Sequence, residues 1–180
     1  MMMNDQFFRE VESNCWDGDQ RIKECNHQNV DVQVLSTVPV MFSYWTSPKD
    51  GLEISKYIND DLIKVVDKHP NRFVGLANMP MQDTKLSIKE LERAKKLGFK
   101  GIQIGSHIND LNLDDSSFFP IYAACEELDM CIFVHPWWCR LCSPCPAEGL
   151  DPLPTLPQQP LPLEHCRCRV LSSCGCFVRP

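Results

Sequence analysis

Four short apolar runs, each separated from the next by one amphipathic stretch of helical period, leave this chain few folds to choose from. Val30–Leu35 (Val-Asp-Val-Gln-Val-Leu), Phe73–Met79, Gly101–Gly105 and Met130–Val134 have the composition and the flanking turn residues of strands. Behind Ser47-Pro48, an N-cap with proline at the first helical position, Ile54, Tyr57, Ile58, Leu62, Val65 and Val66 recur on one helical face until His69-Pro70. Ile88, Leu91, Ala94 and Leu97 mark a second helix that stops at Gly98, and Ile121, Ala124, Cys125 and Leu128 mark a third. Strands joined by single helices cannot pair as hairpins, so the sheet is parallel with right-handed crossovers. That leaves a doubly wound sheet or a (β/α)8 barrel. No Gly-x-Gly-x-x-Gly turn or P-loop is present, which favours the barrel. Asp17 caps a further helix through Arg21, Ile22 and Cys25, but residues 1–16 contain no buried strand, so the barrel is expected to lack its opening strand.

Composition narrows the partner. With 180 residues, 43% apolar and 23% charged, the chain is in the range of one globular domain. A net charge of −6 offers no basic footprint for nucleic acid or anionic lipid, so a small molecule or a protein is the expected partner. No run approaches the length of a membrane span, and the start carries no basic region followed by an apolar stretch. The expected address is the cytosol.

From Trp137 the periodicity stops. Residues 137–180 hold seven of the eleven cysteines and eight of the fourteen prolines, and Pro152, Pro154, Pro157, Pro160 and Pro162 follow one another too closely for helix or strand. A partial barrel domain over 7–137 and an extended, disordered Cys/Pro-rich tail over 138–180 are expected. Cys139-x-x-Cys142-x-x-Cys145, His165-Cys166-x-Cys168 and Cys174-x-Cys176 could ligate zinc, but their spacing fits no standard finger. A segment replacing the rest of a barrel is the plainer reading. Cys15, Cys25, Cys125 and Cys131 are expected to be small buried hydrophobes.

Several phrases share one family pattern. Asn14-Cys-Trp-Asp17, Val34-Leu-Ser-Thr-Val-Pro-Val-Met-Phe-Ser-Tyr-Trp45, Arg72-Phe-Val-Gly-Leu76, Met79-Pro-Met-Gln82, Gly98-Phe-Lys-Gly-Ile-Gln-Ile-Gly-Ser-His107 and Phe133-Val-His-Pro-Trp137 occur in order with near-constant spacing. Over residues 7–137 the chain resembles aminocarboxymuconate-semialdehyde decarboxylase, in the amidohydrolase superfamily. The resemblance implies a zinc-dependent (β/α)8 barrel, with the visible strands second to fifth of eight, that decarboxylates a semialdehyde of tryptophan (kynurenine) catabolism. It implies a zinc set of a His-x-His pair on the first strand, a His ending the fifth strand and an Asp ending the eighth. His135 matches the fifth-strand ligand. The His-x-His pair, the Asp and the acid/base His after the sixth strand have no counterpart. Arg9, in Phe-Phe-Arg-Glu-Val, corresponds to the family's active-site arginine, which would clamp a substrate carboxylate.

Each of these residues also has a plainer reading. His135 before a proline at a strand end could be a core histidine bonded to a backbone carbonyl. His107 follows another strand end and is read as structural or pocket-lining. His27 and His69 are at helix ends, where an imidazolium favours the dipole. Met41, Phe42, Tyr44 and Trp45 form a cluster that packs under a loop and, in a barrel, also walls the pocket. Catalytic zinc takes three protein ligands, so with one ligand of the family's set these 180 residues are expected to be inactive alone. The alternative function is a non-catalytic fragment that binds or inhibits full-length subunits. A third is another hydrolase of the superfamily, against which Trp16 and Tyr44-Trp45 argue. Two open sheet edges would leave room for a homodimer or for association with full-length subunits.

Overall fold

The computed structural model describes residues 2–3, 6–7, 10–136 and 170–172. Five strands, β1 (Gln33–Leu35), β2 (Phe73–Asn78), β3 (Gly101–Gly105), β4 (Cys131–His135) and β5 (Val170–Ser172), form one sheet in that order. Every neighbour is parallel. Right-handed crossovers between strands that are adjacent in sequence and in space put every connecting helix on one face, with no switch point. This decides between the two parallel folds: β1 to β4 are half of a barrel. β5 adds an edge strand from within the segment where the sequence shows no periodicity; the remainder of the 138–180 tail lies outside the described residues.

The helices begin and end where their caps dictate. In α1 (Gly18–His27) the Asp17 carboxylate accepts from the backbone N–H groups of Asp19 and Gln20. Ser47 caps α2 (Pro48–Lys68), Asp83 caps α3 (Thr84–Leu97), and Gly98 ends α3 at φ 102°, the left-handed conformation that favours glycine. Pro120 stands in the first turn of α4 (Phe119–Glu127), behind the short 3-10 turn Ser116–Phe118. Among the described residues no helix is long and apolar enough to cross a membrane.

One expected boundary shifts. The first strand starts at Gln33 rather than Val30, because Asn29 turns the chain at φ 55° and the Arg72 guanidinium donates to the carbonyls of Val30 and Asp31. Those carbonyls are thereby taken from the sheet. Of the four cysteines expected in the core, Cys25 and Cys125 are buried, Cys131 is half-buried and Cys15 is exposed, on the short turn Ser13–Cys15 that precedes α1.

Strand alternation sorts the sheet into two faces. Ala77, Ile102, Ile104 and Ile132 pack with Ile63, Leu91, Ala94, Phe99, Ile121 and Cys125 in the main core beneath the helices. On the opposite face, a Cβ at Gly101 would overlap the Cys131 side chain and meet Leu76 at 3.0 Å, so Leu76, Gly101 and Cys131 form one layer. Asn78, Gln103 and Phe133 pair in the next row, and Gly105 pairs with His135 at the C-terminal end.

Asn59 of α2 completes the free edge of β2 beyond the reach of β1. Its amide donates to the Asn78 carbonyl at 3.0 Å and accepts from the Asn78 N–H at 2.7 Å, as a neighbouring strand would. The same side chain donates to Glu90 at 2.8 Å, and Glu90, 1% exposed, is forked by Arg93 of its own helix. Arg93 also reaches Asp60 of α2. A polar network thus joins α2, α3 and the end of β2 behind the site.

Candidate functional site

His135 is the last residue of β4, at the carboxyl end of the sheet, where parallel α/β folds gather their chemistry. It is half-buried, beside Gly105, which presents no side chain. Its Nδ1 is 2.8 Å from the Pro136 carbonyl. A carbonyl can only accept, so Nδ1 carries a proton, and in the neutral ring Nε2 holds the lone pair. That is the tautomer of a metal-ligating imidazole held by a backbone acceptor. Among the described residues, no group of three or more His, Cys, Asp or Glu side chains could hold a metal ion. His135 by itself therefore makes no metal site; it fits a metal only as one ligand of a larger set. Arg9 and the tail cysteines with His165 lie outside the described residues.

The loop after β1 forms the adjoining wall. Phe42 and Tyr44 are buried and stacked, with ring centroids 5.4 Å apart, whereas Met41 and Trp45 of the same cluster are exposed. The Tyr44 hydroxyl accepts from the Gly105 N–H at 3.1 Å, which fixes the end of β3 next to His135. Burial pushes the Tyr44 phenol well above its ordinary range, so it stays protonated. Asn109, at φ 52°, donates to the Tyr44 carbonyl, and Gln82 reaches the Ser43 carbonyl and the Thr46 hydroxyl. Gly51 makes room for Gln82, since a Cβ there would overlap its amide.

The other histidines divide as their positions imply. His107 begins a two-residue hairpin strand at the same rim, half-buried, with Nδ1 3.4 Å from the Ser106 hydroxyl. His69 caps α2, its Nε2 2.8 Å from Asp19 and its ring edge-on to Phe73. His27 lies in the last turn of α1.

Two site residues escape sequence reasoning. Asn78 and Gln103 are 1% and 2% exposed, yet among the described residues Asn78 Oδ1 and Gln103 Oε1 have no hydrogen-bond partner. The one available signal is a lone amide in each of two otherwise apolar runs, Phe-Val-Gly-Leu-Ala-Asn and Gly-Ile-Gln-Ile-Gly.

Comparison with known proteins agrees with this geometry. The amidohydrolase family profile matches residues 6–166, beyond Trp137. The chain is 55% identical, over 76% of its length, to a 2-amino-3-carboxymuconate-6-semialdehyde decarboxylase of Dictyostelium discoideum, and 34% identical, also over 76%, to one of Caenorhabditis elegans. It spans 38% and 46% of those two relatives. Among solved structures, a dihydroxybenzoic acid decarboxylase from Polaromonas sp. JS666, with bound manganese and the inhibitor 2-nitroresorcinol, superposes with a TM-score of 0.62 at 29% identity, over 66% of this chain and 38% of that one.

Proposed function

The chain belongs to the amidohydrolase family, and from that membership we propose that it is the β1–β4 half of a metal-dependent decarboxylase acting on an aminocarboxymuconate semialdehyde. The observation that carries this reading is His135, at the carboxyl end of the fourth parallel strand with Nδ1 held by the Pro136 carbonyl. The 55% identity to a decarboxylase named for that substrate supports it. Decarboxylases of this fold hold a metal, manganese in the Polaromonas structure; for this chain zinc is the proposed ion, since imidazole suits it.

His135 would hold the ion through Nε2, and Arg9 would fork the substrate carboxylate. The bound metal supplies Lewis-acid polarisation. Tyr44 holds the Gly105 backbone still, and the Phe42–Tyr44 stack closes one side of the site to water. The four described cysteines are all free, which suits the reducing cytosol as the working compartment and, with it, a place in tryptophan catabolism.

The test is CO2 release from the semialdehyde by the chain mixed with the remaining barrel half of a full-length relative and supplemented with zinc, run beside His135→Ala, since the chain alone is expected to be inactive. Release that disappears with the imidazole supports the decarboxylase. A second reading is favoured by the outer edge of β1, which has no partner among the described residues: a non-catalytic chain that docks on full-length subunits. No release from either form, together with reduced turnover when the chain is added to a full-length family member, would sink the first reading and support the second.

A further inference from the structure

We propose that Val170–Ser172 is a blocking strand: it holds the outer edge of β4, where the next strand of a closed barrel pairs, and so competes with the remaining barrel half of a family member for that edge. The inference deepens the reading above and rests on it for the assembly that is blocked.

In a (β/α)8 barrel each parallel strand pairs with the one that follows it, so a free edge of β4 is an acceptor for one more parallel strand. Here the edge is taken. Val170, Leu171 and Ser172 pair in parallel with Ile132, Phe133 and Val134. The place of the strand follows from the sequence, since the crowded prolines end at Pro162 and none follows until Pro180. A ladder needs the backbone N–H that proline lacks. Any strand that pairs at this edge uses the same outward N–H and C=O groups of β4, so two occupants exclude each other.

The strand is weak by length and strong by tethering. On its other side β4 pairs with β3 along its whole length, from Cys131 to His135, whereas the ladder with Val170–Ser172 includes neither Cys131 nor His135. A strand of the usual five or six residues makes a longer ladder. Against that, the blocking strand pairs within its own chain, while a separate half loses translational and rotational freedom on binding. The two effects oppose, which makes the contact a brake on assembly rather than a permanent closure. The blocked edge also adjoins the site, because Ser172 pairs with Val134, next to His135. Catalytic zinc takes three protein ligands, so a half kept from this edge leaves His135 without the others.

The test compares the full chain with a variant carrying Leu171→Pro and Ser172→Pro. Consecutive backbone N–H groups of a strand point to opposite edges, so the two prolines together remove the donor that faces β4, whichever it is. Amide exchange within Ile132–Val134 should quicken in the variant, because the outward groups of β4 lose their partner. Titrated calorimetrically with the remaining barrel half of the Dictyostelium relative, the variant should bind about tenfold or more tighter than the wild type. Thermal unfolding shows whether the variant is folded. If it is not, Val170→Gly with Leu171→Gly, which loosens the strand without proline, takes its place with the same expectations. Unchanged exchange, equal affinities of the two chains, or no binding by either overturns the blocking strand. Tighter binding by the variant with no CO2 from the zinc-supplemented mixture means that the decarboxylase reading fails and the strand keeps its role. Equal CO2 release from the wild-type and variant mixtures means the reverse.

Discussion

Tyr44 shows how one atom joins distant parts of the chain. Its hydroxyl is the acceptor for the buried Gly105 N–H, 61 positions away, and the ring stacks on Phe42. Tyr44→Phe keeps the ring and removes the acceptor, so a buried donor is left unpaired at a cost of about 1–3 kcal/mol. The same hydroxyl gives the fold an alkaline limit. Its folded pKa is raised above the ordinary value of 10.0, so its contribution is intact below that value and is lost as pH rises, because the unfolded chain ionises first. Tyr122, pushed up to about 12 by burial, adds to the same limb and remains in the variant. Urea midpoints at neutral pH and near pH 11 should therefore show Tyr44→Phe less stable at neutrality and less sensitive to alkali. An unchanged alkaline slope would remove Tyr44 from the account. Sequence reading reached the aromatic cluster but not this bond, because nothing local in Tyr44 points to Gly105. It reached His135 because an apolar run that stops at His-Pro is a local signal.

At the scale of elements, local chemistry and long-range chemistry part in the same way. Ser47-Pro48, Asp83 and Gly98 declare helix ends within a few residues, and α2 and α3 start and stop there. The start of β1 is different, since Arg72 takes the Asp31 carbonyl from 41 residues away, a contact no local pattern encodes. The link between α2 and α3 is equally silent in sequence. Glu90 reads as one more helix-surface carboxylate, yet it is 1% exposed and bonded to Arg93 and Asn59. Arg93→Ala strands that carboxylate and should cost about 3 kcal/mol or more, as when one partner of a buried pair is removed. Glu90→Leu with Arg93→Leu removes both charges and should recover a large part of the loss. Denaturant midpoints across the double-mutant cycle decide it. Additive losses would mean that the two side chains act independently and that Asn59 alone holds the helices together.

For the whole molecule, the strand order matters more than any contact. Consecutive parallel strands with all connecting helices on one face build a curved sheet whose opposite face and terminal edges are covered only when a barrel closes. On one side β4 is paired with Val170–Ser172, but among the described residues β1 pairs with β2 alone. Val32 and Val34, at 54% and 57% exposed, bring apolar side chains to that open edge. Edges of this kind pair with whatever strand edge is available, such as that of a second copy of this chain or of a subunit whose barrel is not closed. The chain should therefore self-associate as its concentration rises, and Val34→Lys, which puts a charge on the edge, should move it towards the monomer. Sedimentation velocity over a hundredfold dilution series measures this directly. A wild-type chain that stays monomeric throughout, or a Val34→Lys variant that associates as strongly as the wild type, would show that the β1 edge is not the contact. The docking reading of its function would then lose its structural basis, leaving the His135 site as the feature to pursue.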